Sequence, residues 1–382
     1  MGNYNESFER RHLESPENKG NGLAKVIYGP AGPMYVYPPI HGYFNAGVFR
    51  DGKRIGLVAR GVVGPAEDGE PDTGPLVHIT LDANNRPTAF NTVFEPMREG
   101  GKLRLEDPRI AGDKWGVTAV IPSPYGSDGD WTPYPAFLRG GGAIYPDRLH
   151  IIKDLGPGKN MTPLGLGDLF FVRSNFDLGG VSEDRRPNSH KLYVIEPSPN
   201  GTNIKGVLDL SKSEIEFAKD QGGSAGPPHW GPVRNGVREG LTLFHGFIKS
   251  RTSTGSDFYT YGIGAAIIRV FANGEVILTN VIRDPLLRVD DFNQSDGSQM
   301  AEQLHPDLRL AEYLVGSAIV NKPNPISGIE QRMAVLFPSV GDTSTFPVEI
   351  PLDNLVRHLR AQAVCSANGS NKNNQGVIFK QN

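Results

Sequence analysis

The stretch Leu103-Arg-Leu-Glu-Asp-Pro-Arg-Ile110, followed after Ala111-Gly112 by Asp113-Lys-Trp-Gly-Val-Thr-Ala-Val120, sets the reading of the whole chain. Two adjacent acids stand against a proline and ahead of an arginine. Proline fixes its own φ and disfavours helix at the residue before it, so Asp107 is expected in extended chain. Successive side chains of extended chain alternate sides, so Glu106 and Asp107 are expected to point apart. A rigid carboxylate at the entrance of the strand that starts near Trp115, with Arg109 close enough to tune its charge, suits a general acid. The same residues equally suit a plain turn with a solvated acidic pair and a surface ion pair.

The strand that follows belongs to a set. Segments 53–60, 113–120, 167–173, 239–245 and 331–339 share a polar or glycine start, alternating bulky apolar residues, and a polar or small end. Their ends recur at roughly 55–95 residues, room for a three- or four-stranded sheet each time. Five such sheets set radially make an all-β fold, a five-bladed β-propeller with a short C-terminal helix. A β-sandwich also gives many short strands, but it does not predict polar residues ending equivalent strands. In a propeller those ends converge, which brings Arg60, Arg173 and His245 to one axial pocket with Asp107 beside them. Helical spacing is confined to 211–219, to 352–364, where Leu352, Leu355, Val356 and Leu359 recur on one face, and to a turn at 308–314. The domain reading is a loose arm over 1–25, the propeller over 26–364, and a polar tail over 365–382.

Composition narrows the function classes. Among 382 residues, the 47 glycines and 31 prolines punctuate apolar runs instead of forming low-complexity tracts, as in a folded, turn-rich protein. A net charge of −3 without a Lys/Arg cluster argues against nucleic acid as a partner. Cys365 is the single cysteine, so neither an intrachain disulfide nor a cysteine zinc site is expected, and the histidines show no metal spacing. No apolar run approaches the ~20 residues of a membrane span, and the first residues lack a signal-peptide core. A cytoplasmic protein without membrane partner, metal or organic cofactor is the expectation.

Several motifs, in one order, resemble glycoside hydrolase family 130, the β-mannoside phosphorylases and related hydrolases. Glu106-Asp-Pro-Arg-Ile110 resembles its signature. Phe44-Asn-Ala-Gly47 with Gly56-Leu-Val-Ala-Arg60 is similar to its first-blade motif, and Lys159-Asn160 with the strand ending at Arg173 to its third. Gly226-Pro-Pro228, Leu243-Phe-His-Gly246 and Tyr261-Gly-Ile-Gly-Ala-Ala266 are similar to its fourth blade, and Gly341-Asp-Thr343 to the end of its fifth. The resemblance spans about residues 40–360. It departs at Phe337-Pro338-Ser339, where the family carries two aromatics, and finds no match over 126–144 and little over 281–325.

The resemblance implies that Asp107 is the general acid, protonating the leaving glycosidic oxygen through a sugar hydroxyl. A phosphorylase brings inorganic phosphate as co-substrate and needs cationic and amide donors opposite the acid. Arg60, Lys159, Asn160, Arg173 and His245 fit that cluster. Singly, each also fits a strand-end ion pair, a turn residue or a packed core histidine. Asn45, Glu106, Arg109, Tyr261 and Asp342 are the candidate sugar contacts, since carbohydrate sites combine amides and charged groups with an aromatic face. The implied activity is inverting phosphorolysis of a β-mannosidic disaccharide or oligosaccharide, giving α-mannose 1-phosphate. An inverting hydrolase would need a second carboxylate as base, with Glu239 or Asp257 as candidates. A propeller that only binds glycans is a third reading, and a homo-oligomer is compatible with each.

Overall fold

Alternating apolar residues bury one face of a strand if the sheet has a wet side, and nearly continuous burial means that both faces are covered. The second kind dominates here. In the computed structural model the described residues are 25–26, 42–51, 54–62, 75–82, 85, 87–94, 103–122, 131–139, 148–174, 191–209, 215–218, 221–251, 257–272, 274–288, 312–324, 327–340, 344–345 and 347–368. The arm expected over 1–25, apart from Lys25, lies outside them, as do Asp342 and residues 369–382.

The strands run in chain order. β1 is Lys25–Val26. The first blade is β2 (Gly42–Asp51), β3 (Arg54–Val62), β4 (Leu76–Leu81) and β5 (Pro87–Phe94). The second is β6 (Arg104–Ala111), β7 (Lys114–Pro122), β8 (Trp131–Arg139) and β9 (Arg148–Ile151). The third is β10 (Gly158–Pro163), β11 (Phe170–Ser174), β12 (Lys191–Ser198) and β13 (Gly201–Asp209). The fourth is β14 (Gln221–Ser224), β15 (His229–Arg234), β16 (Val237–Arg251), β17 (Asp257–Phe271), β18 (Val276–Thr279) and β19 (Leu287–Arg288). The fifth is β20 (Glu312–Pro323), β21 (Glu330–Val340), β22 (Ser344–Thr345) and β23 (Val348–Pro351), with β1 added at its outer edge by Lys25↔Glu349 and Val26↔Val348. All pairings are antiparallel, and the β15–β16 hairpin turns on Asn235-Gly236, both with positive φ as a two-residue primed turn requires.

Five sheets arranged in this way form a five-bladed β-propeller. β2 lies against β6 and β20, and β10 against β6 and β14, which makes the first strands of the blades the inner ones. Period-two alternation sends successive side chains to opposite seams. On β21, Met333, Val335 and Phe337 join Leu57 and Ile79 of the first blade, whereas Ala334 and Leu336 join the fourth. On β12, Leu192 and Val194 face the fourth blade, and Tyr193 and Ile195 pack with Phe137 of the second.

The C-terminal helix α1 (Leu352–Asn368) buries Leu352, Leu355 and Leu359 against the fourth and fifth blades. It runs past Val364, so Cys365 belongs to the helix and not to the tail. One local expectation is corrected. Leu314, expected in a helical turn, lies in β20, where cross-strand pairing to Pro338 overrides local propensity. The segment without a family match contains β8, an ordinary third strand paired to β7. Of the helix expected over 211–219, the described part is a single 3-10 turn, Glu216–Ala218.

Candidate active site

The repeated segments turn out to be the second strands of the blades, and the axial groups come from two layers. β2, β6, β10 and β20 each hold one residue more than their partner strands, in the steps Phe44 to Gly47, Glu106 to Arg109, Lys159 to Thr162 and Leu314 to Ser317. A bulge of this kind bends the strand and re-aims a side chain. In three of them the residue after the step is left-handed: Asn45 at φ 52°, Asp107 at φ 51° and Asn160 at φ 61°. Asn and Asp are the non-glycine residues that tolerate this region.

This corrects the expectation for the Glu106-Asp107 pair. Asp107 is not extended, and the two carboxylates do not part. Both reach Arg60, whose Nη2 is 3.5 Å from Glu106 Oε1 and whose Nη1 is 3.7 Å from Asp107 Oδ1. The preference imposed by Pro108 yields to the bulge, which turns consecutive side chains to one guanidinium.

Around Asp107 the bonds cross blade boundaries. Asn45 Nδ2 donates to Asp107 Oδ1 at 2.8 Å, while the Asn45 backbone N–H donates to Ser339 Oγ at 2.6 Å. Lys159 Nζ is 3.4 Å from Glu106 Oε2, and the register sets Lys159 opposite Arg173. Arg60 also lies over the Phe44 ring, 4.6 Å from its centre. Asn160 and His245 come together at Gly223, where a Cβ would stand 2.5 Å from Asn160 Nδ2 and 2.6 Å from His245 Nε2. The absence of a side chain at Gly223 is what lets these two approach. Lys159 is the most open of the acid–cation group, its side chain 36 % exposed, and the Asp107 side chain is 12 % exposed.

Arg109, expected among the sugar contacts, is fully buried and cannot touch a ligand. Its Nη1 donates to the Asp107 carbonyl at 2.8 Å, Nη2 to Asn160 Oδ1 at 2.7 Å and Nε to the Ser224 carbonyl at 3.2 Å. It therefore ties together the inner strands of the second, third and fourth blades. Burial brings this guanidinium down to about 10, with Asp107 opposing and Arg173 adding to the shift. For Asp107, burial pushes the carboxyl up, but Arg60, Arg109, Lys159 and the Asn45 amide together outweigh it and hold the group below its ordinary range. Among the described residues three cations, Arg60, Arg109 and Lys159, act on Asp107, and Arg173 stands opposite Lys159 and acts on Arg109.

Other expected residues fall elsewhere. Tyr261 is one strand outward on β17, edge-on to Phe247 at 5.1 Å, and is not brought to the ring. The two candidate bases are displaced: Glu239 is clamped by Arg269 at 3.0 Å and Arg360 at 2.9 Å. It sits on β16 six residues from His245, about 20 Å along the strand. Asp257 pairs with Arg251 at the opposite end of the same hairpin. His78 and His150 pack on Phe49 and Phe137. Among the described residues no group of three His, Cys, Asp or Glu side chains is placed to hold a metal ion, and no helix is long and apolar enough to cross a membrane.

Sequence reasoning missed the buried tie of Ser339 to Asn45 and Thr345, although Ser339 ends the fifth repeat. It also took Val120 as the second-blade end, whereas Thr118 stands opposite Glu106 as Arg60 does opposite Phe44.

No protein-family model matches the chain, and no curated protein matches it in sequence. Solved structures do match over nearly its full length. A glycosyl hydrolase from Bacteroides ovatus is 14% identical, with 87% of this chain and 92% of that one covered at a TM-score of 0.52. A β-1,2-mannobiose phosphorylase from Listeria innocua, in complex with β-1,2-mannobiose, is 14% identical, with 91% and 98% covered at 0.51. A structure described as belonging to the GH130 family of mannoside phosphorylases, which contains glycoside hydrolases for β-1,2-mannosidic linkages in Candida mannan, is 14% identical, with 87% and 92% covered at 0.48. The first two structures show a likeness of fold.

Proposed function

We propose that the protein is an inverting glycoside phosphorylase that cleaves β-mannosides with inorganic phosphate and releases α-mannose 1-phosphate. The observation that carries this reading is the set of cations gathered beside Asp107, Arg60 and Lys159 with Arg173 opposite Lys159. Arg60, Lys159 and Arg173 supply guanidinium and ammonium donors for a phosphate dianion, and the arginines suit bidentate contact with its oxygens. Asn160 and His245, which meet at Gly223, supply further donors. Glu106 is the other carboxylate of the ring among the described residues and is engaged by both Arg60 and Lys159, so it is poorly placed to activate a water.

The bond changes follow from this arrangement. A phosphate oxygen attacks the anomeric carbon as its bond to the leaving oxygen breaks, and attack from the opposite face inverts the configuration. Asp107 gives its proton to the leaving oxygen, by way of a sugar hydroxyl, and the proton of hydrogen phosphate restores it. The oxygen that acts is Oδ2, because Oδ1 holds Asn45 and Arg60. Asn45 Oδ1 is buried and has no hydrogen-bond partner among the described residues. A cytoplasmic setting suits the reaction, since a charged sugar phosphate is retained by a membrane.

The test is product release from β-mannobiosides and mannosyl-glucose with and without phosphate. Sugar phosphate formed only with phosphate is the expected outcome. Free mannose at equal rates in both conditions would move the assignment to a hydrolase, and binding without any product would leave a glycan-binding propeller.

A further inference from the structure

A general acid must carry a proton, yet every cation around Asp107 favours its ionised form. Arg60 reaches it from β3 and Arg109 from its own strand β6, while Lys159 and Arg173 stand on β10 and β11. Glu106 on β6 is the one other carboxylate, and His245 on β16 the one imidazole, in the described ring. The neutral amides of Asn45 on β2 and Asn160 on β10, with the Ser339 hydroxyl on β21, complete it. Three of these cations, Arg60, Lys159 and Arg173, form the proposed phosphate site. Whatever neutralises them also removes what keeps the proton off Asp107.

We propose that the bound anion arms the acid: without it Asp107 is ionised, and a dianion held by Arg60, Lys159 and Arg173 makes Asp107 take up the proton that it later delivers. This rests on the phosphorolysis reading and deepens it. The direction follows from electrostatics, because a dianion beside Arg60 and Lys159 opposes the positive charge that favours ionised Asp107, in a buried ring where charges are weakly screened. Asp107 is the group that responds. Glu106 is ion-paired to Arg60 and Lys159 at 3.5 and 3.4 Å, whereas Asp107 Oδ2 accepts no hydrogen bond among the described residues and has room for the proton. Water brings no charge and does not arm the acid, so the disaccharide is spared hydrolysis when phosphate is absent. Phosphate is then nucleophile and switch in one molecule.

Linkage makes the effect reciprocal: if the anion promotes protonation, protonation tightens the anion by the same factor. Sulfate is the cleanest probe, because it stays a dianion where phosphate itself titrates. Calorimetric titration of the full chain with sulfate, in buffers of different ionisation enthalpy, reads the protons taken up. Uptake approaching about one proton per anion is expected, with sulfate affinity rising up to ~10-fold per unit fall in pH between the free and bound pKa values of Asp107. Asp107→Asn loses that uptake, which separates Asp107 from His245. On the wild type, infrared difference spectra on sulfate binding show a carboxylate band replaced by an acid carbonyl band, a reading independent of any variant.

Sulfate binding without proton uptake, or with the uptake intact in Asp107→Asn, overturns the coupling and leaves the phosphate site standing. If neither sulfate nor phosphate binds the wild type, the phosphorolysis reading falls and the coupling with it.

Discussion

At the scale of single residues, the site is made by backbone handedness as much as by side-chain chemistry. Asn45, Asp107 and Asn160 hold left-handed conformations that cost an L residue about 1–2 kcal/mol each. Arg109, with three hydrogen bonds to the surrounding inner strands, helps to hold them. Asp107→Asn keeps a side chain that tolerates this conformation, so the fold is expected to persist by circular dichroism. Turnover should fall by at least ~10²-fold, the usual worth of a general acid; undiminished turnover would remove Asp107 from the chemistry. Gly223→Ala probes the Asn160–His245 approach without changing a polar group. Its Cβ would overlap Asn160 Nδ2 and His245 Nε2, both side-chain ends that can move, so stability should change little while the donors are displaced. Displacement of this order costs up to ~10²-fold in rate. The check is kcat/KM for phosphate beside the melting temperature, and a collapse of both would mean that the glycine is needed for folding instead.

At the scale of elements, the seams between blades are pinned by a few polar side chains among apolar ones. Trp230 Nε1 on β15 donates to the Leu164 carbonyl of the third blade at 2.6 Å, and His229 Nε2 meets Ser317 Oγ of the fifth at 2.8 Å. These contacts make His229-Trp230 a packed seam. Burial, with the Arg50 charge added, pushes the His229 imidazole down to about 4. Its ordinary value is 6.5, so the unfolded chain binds a proton that the folded one refuses as pH drops between the two. Stability from this residue is full above 6.5 and declines towards 4, by up to about 3 kcal/mol. Denaturant melts across that interval should show the decline, and His229→Gln should flatten it; an unchanged slope in the variant would place the acid sensitivity elsewhere. The second strands were legible in the sequence because both faces are buried and the pattern recurs, which is how Arg60, Arg173 and His245 could be grouped. The inner strands were not. Their bulges depend on register against a partner, which no local pattern encodes, and so the extended Asp107 and the ligand-facing Arg109 were natural errors. Tyr261 was placed by motif alone, and pairing carried it outward.

At the scale of the molecule, a propeller is stable only if its last blade meets its first, and this chain closes twice. On the inner side, Ala318, Met333, Val335 and Phe337 of the fifth blade share a core with Ala46, Leu57 and Ala59 of the first. On the outer side, β1 adds the chain's beginning to β23, two residues in register at Lys25↔Glu349 and Val26↔Val348. The two closures differ in what depends on them. The acid and its cations hang from inner and second strands, whereas β1 covers an edge remote from the axis. Removing residues 1–26 should therefore lower stability relative to removing residues 1–24, by about 1–2 kcal/mol for the lost cross-strand hydrogen bonds. In a chain of this length that is a fall of a few degrees in melting temperature. The newly bare edge of β23 should also raise aggregation on heating, as unpaired strand edges do. Turnover well below the melting range should be the same for both truncations. Equal melting temperatures would show that β1 contributes nothing to closure, and a loss of turnover at low temperature would show that the edge of the fifth blade reaches the axis after all.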